Sequence, residues 1–458
     1  MGFTQTIGFG EETTVVAVST PPGTGGIAVI RLSGRDALPI FGRAWKGASI
    51  GESPSHTVHV GWVKDSEGKD IDQVVATVFR GPNSYTGEDV VEISCHGSPW
   101  IQQAIVARML ECGAVAAGAG EFTRRAFVNG RLDLAQAEGV ADMIAASSRV
   151  SARLAASQLR GSFSSGLEDL RTRLLNLGVL LELELDFSEE EVEFADRGEL
   201  ISLTREMLGE VSKLADSFRA GNAFKNGVPV AIAGIPNAGK STLLNALLGE
   251  EKAIVASVPG TTRDVIEDTV EIGGILFRFS DTAGLRESED EIERIGVERA
   301  KVKINGASIL LYMIDPTQDV SRQFSTLASL RRELKARVLL VASKADVSRY
   351  ESDEATLSIS AKDGGGIEEL KGKLVSIATE EFQPDANELI VTNARHYEAL
   401  RQTQEPLERL LEGLESGVSA DFLAQDLREA ERHLGEITGA VTSTDILHTI
   451  FSRYCIGK

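Results

Sequence analysis

The chain has 458 residues, 42% of them hydrophobic, with a formal net charge of -21; that length suits two or three domains rather than one core, and so acidic a balance excludes unselective coating of nucleic acid. It has no apolar run long enough to cross a bilayer, and Met1 to Thr13 includes Glu11 and Glu12 where a secretory leader would need a basic and then an apolar stretch, so a soluble cytoplasmic protein is expected. Three scattered cysteines, Cys95, Cys112 and Cys455, fit reduced thiols rather than a disulfide framework or a zinc site, and any RNA contact must use a local basic patch.

From about Thr13 to Gly120, runs at Val15–Val18, Ile27–Leu32 and Val74–Phe79 are separated by Pro and Gly turns, which predicts a mixed α/β module. Between about Phe122 and Ala220 the apolar period becomes helical. Leu132–Glu138 and Leu170–Leu185 carry Leu at helical spacing with charges between, the pattern of a helix bundle. At Val228 the character changes again: Val228–Ala233 is an apolar strand that feeds a Gly-rich turn and a helix over Lys240–Leu248. Further strands are predicted at Ile275–Ser280, Ile309–Ile314, Val338–Ala342 and Leu357–Ile359, alternating with helical segments, which implies a largely parallel sheet covered on both faces. Gly273-Gly274 reads as a hairpin turn that adds one antiparallel edge strand. Helices return after Glu380, from Arg395 through Leu427–Leu434, so the α/β unit is expected to be an insertion in a helical domain.

Gly234-Ile-Pro-Asn-Ala-Gly-Lys-Ser241 has the spacing of a phosphate-binding loop, in which glycines let backbone N–H groups approach phosphate oxygens at a helix N-terminus. Lys240 is expected on the β and γ phosphates, and Ser241 on magnesium. Three further elements follow in the order a GTPase requires: Thr261-Thr262-Arg263, Asp281-Thr282-Ala283-Gly284 and Ser343-Lys344-Ala345-Asp346. Thr262 can complete the magnesium shell, and the Gly284 N–H can sense the γ phosphate. The Asp346 carboxylate can accept from guanine N1–H and the exocyclic amine, whereas adenine offers an acceptor there, so GTP is expected over ATP. Ser343 stands where GTPases mostly carry Asn or Thr, which puts one polar contact supporting the base pocket in question. Ser360-Ala361-Lys362 is expected to back the guanine with main-chain N–H groups. Leu285 follows the Asp-x-x-Gly motif, where small GTPases commonly place a water-orienting Gln. The acidic stretch Glu287, Glu289, Asp290, Glu291 and Glu293 therefore holds the candidates for that task, although a solvated charge run accounts for most of it.

The chain resembles the bacterial and organellar tRNA-modification GTPase family called MnmE or TrmE over its whole length. The resemblance is carried by Pro21–Gly26 with Arg31, by Gly81-Pro-Asn-Ser-Tyr-Thr-Gly-Glu-Asp89, by Gly120-Glu-Phe-Thr-Arg-Arg-Ala-Phe127, by Leu132–Glu138, by the inserted GTPase domain and by Cys455-Ile-Gly-Lys458. It implies a multidomain α/β plus all-α fold: a tetrahydrofolate-binding and dimerisation domain over 1–128, a helical domain over 129–225 and 382–458, and a Ras-like GTPase domain over 226–381. It makes Glu293 the catalytic acid that positions water, and it implies a potassium ion held by Asn237, Thr261 and the main-chain carbonyls of Ala256 and Val258. Nucleotide contacts are then expected from Asn237, Ala238, Gly239, Lys240, Ser241 and Thr242, and from Ala256, Ser257, Val258, Pro259, Gly260, Thr261 and Thr262. The remainder come from Asp281, Thr282, Ala283, Gly284, Ser343, Lys344, Asp346, Ser360, Ala361 and Lys362.

The resemblance also implies a 5-formyl- or methylene-tetrahydrofolate site at Arg31, Glu92, Arg131 and Lys458, with ordinary surface ion pairs as the alternative for each alone. Arg131 stands where many relatives have Lys. Cys455 is implied as a thiol delivered to that site, against a buried cysteine of no chemical role, while Cys95 and Cys112 read as core residues. The implied partners are a second copy of the chain, the flavoprotein MnmG and tRNA, and the implied reaction installs an aminomethyl-type group on C5 of a wobble uridine. The alternatives are a non-catalytic GTP switch in ribosome assembly or signalling, and an N-terminal module kept only for dimerisation.

Overall fold

The computed structural model describes residues 13–186, 197–249, 268–281, 306–331, 334, 336–348, 350, 356–382, 389–452 and 454–457. The chain forms two compact units, one made of Met1–Ala141 with Gly435–Lys458 and the other of Asp142–Leu434.

The first unit is built on seven strands: β1 (Val15–Val18), β2 (Ile27–Ser33), β3 (Trp45–Lys46), β4 (Thr57–Lys64), β5 (Asp70–Phe79), β6 (Val90–His96) and β7 (Val115–Ala116). Their order is β3-β4-β5-β6-β2-β1-β7, and only the β1–β7 pair is parallel. Side chains alternate across a strand, so Asp72, Val74, Ala76 and Val78 of β5 are buried while Gln73 and Val75 are exposed. The inner face packs Ile30, Leu32, Val63, Val91 and Ile93 against Phe41 and the helix Pro99–Glu111, whose Ile105 and Met109 are fully buried. Cys95 and Cys112 belong to that core, as the sequence predicts. Arg31 and Glu92 are direct cross-strand partners in the β2–β6 register.

The end of the chain closes this unit. The helix Thr444–Phe451 buries Leu447 and Phe451 against Leu134 and Ala137, and Tyr454 Oη donates to the Ala137 carbonyl at 2.7 Å. Ile456 then bridges Ala119, the Gly120 N–H donates to the Cys455 carbonyl at 3.3 Å, and Ser19 Oγ donates to the Gly457 carbonyl at 3.0 Å.

Among the described residues the second unit holds six strands: β8 (Val228–Gly234), β9 (Asp268–Ile272), β10 (Ile275–Asp281), β11 (Ile309–Ile314), β12 (Arg337–Ala342) and β13 (Thr356–Ser358). Their order is β13-β12-β11-β8-β10-β9, with every pair parallel except β9–β10. Gly273 and Gly274 have φ of 62° and 87°, the two positive values that a tight hairpin turn demands. All of β11 is buried, because both sheet faces are covered: Leu243, Leu247, Leu370 and Leu374 pack on one, and Leu327 with Tyr312 on the other. Helices flank this sheet in sequence on both sides. Leu167, Leu170, Leu174, Leu177 and Leu181 of the helix Ser162–Asp186 are buried at alternating intervals of three and four, the stripe of a bundle helix. The helix Arg197–Asp216 packs against Ala394–Ser416, tied by Gln404 Nε2 to Ser212 Oγ at 2.9 Å. The α/β unit is thus inserted between helices that pack together.

Candidate functional site

The elements expected to bind nucleotide lie at one edge of the sheet, where β8, β11, β12 and β13 deliver their carboxyl ends. Open α/β sheets bind ligands at this edge. Gly234 ends β8 with φ of 150°, and a Cβ there would lie 2.5 Å from the Met313 carbonyl oxygen; the loop can leave the strand at that point only with glycine. Asn237 adopts φ of 60° and Gly239 of 91°, a curl that precedes the helix Lys240–Gly249. Lys240 is buried, and its Nζ donates to the carbonyls of Gly234 at 3.0 Å and Ile235 at 2.8 Å. The loop therefore wraps its own ammonium group. Asn237, Ser241 and Thr242 are exposed around it, and Ala238 is buried beneath it.

On the neighbouring strands, the N–H and Oγ of Ser343 both donate to the Ile314 carbonyl, at 2.8 and 3.1 Å. Lys344 follows with φ of 58°, and the Ala345 N–H donates to the Ile359 carbonyl at 3.0 Å. Asp346 accepts from Ser360 Oγ at 3.1 Å, and that hydroxyl also meets Asp363. The Ser360–Lys362 turn is closed by Ser360 N–H to the Gly365 carbonyl at 2.8 Å and Gly364 N–H to the Ser360 carbonyl at 3.0 Å. The two segments expected to meet the base are thereby brought together. Asp281 ends β10, two strands from β11. Ala256, Ser257, Val258, Pro259, Gly260, Thr261, Thr262, Thr282, Ala283, Gly284, Leu285 and Glu293 lie outside the described residues, as does Lys458.

A second cluster lies in the first unit. Arg31 Nε and Nη2 both donate to Glu92 Oε1, at 2.9 and 2.7 Å, leaving Oε2 without a partner among the described residues. The guanidinium sits 5.1 Å from the Tyr85 ring centre and 5.5 Å from that of Phe122, within cation–π range of both. Burial pushes the Tyr85 phenol above its ordinary pKa, against the opposing effects of its Thr123 hydrogen bond and the Arg31 charge. The motif segments are knitted together by Arg125, which pairs with Glu88 at 3.0 Å and Glu121 at 3.0 Å and donates to the Thr13 carbonyl at 2.9 Å. The Arg131 stem lies against Gly87. Cys455 is exposed, and its carbonyl is held by the Gly120 N–H, two residues before Phe122. The thiol is therefore not part of a core.

Comparison with known proteins identifies the family. Residues 14–131 match a model described as GTP-binding protein TrmE N-terminus, and residues 134–455 match the MnmE helical domain. The chain is 49% identical over 452 residues to the tRNA modification GTPase MnmE of Cytophaga hutchinsonii, covering 97% of this chain and 98% of that one. It belongs to the MnmE family. The MnmE proteins of Christiangramia forsetii and Porphyromonas gingivalis are 45% and 47% identical to it, over 97% of this chain and 99% and 98% of theirs. As a member of the MnmE family it is a GTP hydrolase involved in tRNA modification. No helix among the described residues is long and apolar enough to cross a membrane.

Three groups at these sites are not singled out by sequence reading. Tyr85 and Phe122 stand inside quoted motifs, and their signal is an aromatic residue in each of two segments that flank a candidate cation. Ser19 meets the tail from 438 positions away, and no local pattern announces such a contact.

Proposed function

We propose that the chain is a potassium-dependent GTPase that works with a second copy of itself and a flavoprotein to modify C5 of a wobble uridine with a folate one-carbon unit. In this reading the chain divides into an N-terminal folate and dimerisation domain (1–128), a helical domain (129–225 and 382–458) and a GTPase domain (226–381), and it acts in the cytoplasm. Lys240 binds the β and γ phosphates, Asp346 accepts from the guanine edge, and Glu293 orients the attacking water. Ser241 and Thr262 would hold magnesium, while Asn237, Thr261 and the carbonyls of Ala256 and Val258 would hold potassium. Among the described residues the fit rests on Ser241, exposed in the first turn of its helix, and on Asn237, exposed at the crest of the loop. When bound, the two ions supply positive charge against the charge that develops on the transferring phosphoryl group.

The observation that carries the modification reading over a plain nucleotide switch is the Arg31 cluster beside the docked tail. A carboxylate with one oxygen engaged and the other available suits a pterin N–H donor, and the exposed Cys455 follows a helix packed in the same unit. Arg31 and Arg131 would meet folate carboxylates or ring acceptors. Equilibrium binding of 5-formyltetrahydrofolate should be measurable for the native chain and at least tenfold weaker for Glu92→Ala, about 1.4 kcal/mol; undiminished binding would remove Glu92 from the site, and no binding to the native chain would leave dimerisation as the module's role. GTPase rates should be higher in potassium than in sodium and should drop for Glu293→Ala. Equal rates in either comparison would overturn the proposed hydrolysis mechanism.

A further inference from the structure

Asp315, at the carboxyl end of β11, is fully buried and lies outside the guanine-recognition motif, yet four hydrogen bonds converge on its carboxylate. Oδ1 accepts from the Thr317 N–H at 3.0 Å and the Thr317 hydroxyl at 2.6 Å. Oδ2 accepts from Gln318 Nε2 at 3.2 Å and from Lys344 Nζ at 2.6 Å. Its own N–H donates to Gln323 Oε1 at 2.9 Å. Burial by itself would raise the carboxyl's pKa, but the hydrogen bonds from Lys344 and Thr317 and the Lys344 charge outweigh it and hold the group below the ordinary value. The aspartate is therefore an ionised, saturated anchor whose only described cationic partner is Lys344.

That partner occupies a demanding position. Lys344 is one of three non-glycine residues with positive φ among the described residues, a conformation that surrounding structure must enforce. It joins β12 to Asp346, and among the described residues the N–H and Oγ of Ser343 before it contact the Ile314 carbonyl. A Ser side chain is too short to tie this turn to a neighbouring loop as the longer Asn amide can. The ion pair to Asp315 fixes the turn from the other side.

We propose that Asp315 is a positioning residue for guanine recognition: by pinning Lys344 it holds the strained turn that aims Asp346 at the base, taking over the anchoring that Ser343 does not provide. The inference rests on guanine recognition by Asp346, and the experiment separates the two. Affinities for GDP and for IDP, which lacks the exocyclic amine that Asp346 would accept from, are measured by calorimetry for the native chain, Asp315→Asn, Lys344→Met and the double variant, with circular dichroism to establish folding. The native chain should prefer GDP. Each single variant should lower GDP affinity about tenfold and shrink the GDP-to-IDP ratio severalfold, and the double variant should lose no more than Lys344→Met alone, because that change already breaks the pair. A structural defect alone would weaken both nucleotides equally and leave the ratio unchanged. Adding Ser343→Asn to Asp315→Asn should restore part of the ratio. A preserved ratio in folded Asp315→Asn overturns the inference, and so do additive losses in the double variant. Should Asp315→Asn not fold, a preserved ratio in Lys344→Met overturns it on its own. A native chain that does not distinguish GDP from IDP would overturn the Asp346 reading and this inference with it.

Discussion

Replacing Gly234 by alanine tests whether the phosphate loop depends on a backbone that only glycine allows. The new Cβ would lie 2.5 Å from the Met313 carbonyl oxygen and 3.1 Å from Met313 Cβ, at a φ of 150°. Holding an L-residue there costs roughly 1–3 kcal/mol. Relieving the contact means displacing β11, which is buried throughout and paired on both edges, at roughly a further 1–3 kcal/mol. For a unit of this size each kcal/mol lowers the melting temperature by about 2–4 °C, so Gly234→Ala should melt about 5–20 °C below the native chain. Because the Gly234 and Ile235 carbonyls cradle Lys240, GDP affinity should also fall at least about tenfold, equivalent to roughly 1.4 kcal/mol. Gly372 provides the opposing control. It is exposed in the helix Ile367–Phe382, with nothing within 4 Å of a built Cβ, so Gly372→Ala should stabilise by about 0.5–1 kcal/mol. Thermal unfolding followed by circular dichroism and titration with a fluorescent GDP analogue read both effects. If Gly234→Ala melts and binds like the native chain, the close-approach argument is wrong.

Two further outcomes are expected. Gly457 has φ of 97°, and a Cβ there would lie 2.1 Å from the Val18 carbonyl oxygen, so Gly457→Ala should lift the tail from β1 and break the Ser19 and Gly120 hydrogen bonds. Hydrogen exchange at the Gly120 amide should accelerate at least about tenfold, and unchanged protection would contradict the docking. Glu121 is pulled up by burial but carried below its ordinary 4.5 by the Gly118 N–H, by Arg125 and by Arg124. A carboxyl depressed in the folded state stabilises fully above its unfolded value and loses that contribution as pH falls through the folded one. Glu121→Gln should therefore be less stable than the native chain at pH 7 and converge with it in acid. A denaturant-midpoint difference independent of pH would refute the assignment.

Strand and helix types in the GTPase unit were legible because each buried strand is a short apolar run bounded by turn residues, as at Ile309–Ile314. The positions of the Gly234–Ser241 loop and the Ser343–Asp346 turn were legible for the same reason: each is a contiguous segment at the end of an apolar strand. β4 was not. Its exposed positions carry Val58, Val60 and Trp62, while Gly61 and Val63 face inward and His59 is only partly covered, which inverts the usual apolar signal. Asp315 escaped notice because its role depends on the parallel register that sets Ile314 beside Ala342, a pairing between segments 28 positions apart. The Ser19–Gly457 contact is long-range in the same sense, and the exposure of Cys455 followed only once the C-terminal helix had a place to pack.

The most direct test of the central claim is mass spectrometry of tRNA nucleosides from cells that lack this protein. The account predicts loss of the C5 modification at the wobble uridine, restored by the native chain and not by Lys240→Ala. An intact modification in cells without the protein would contradict it.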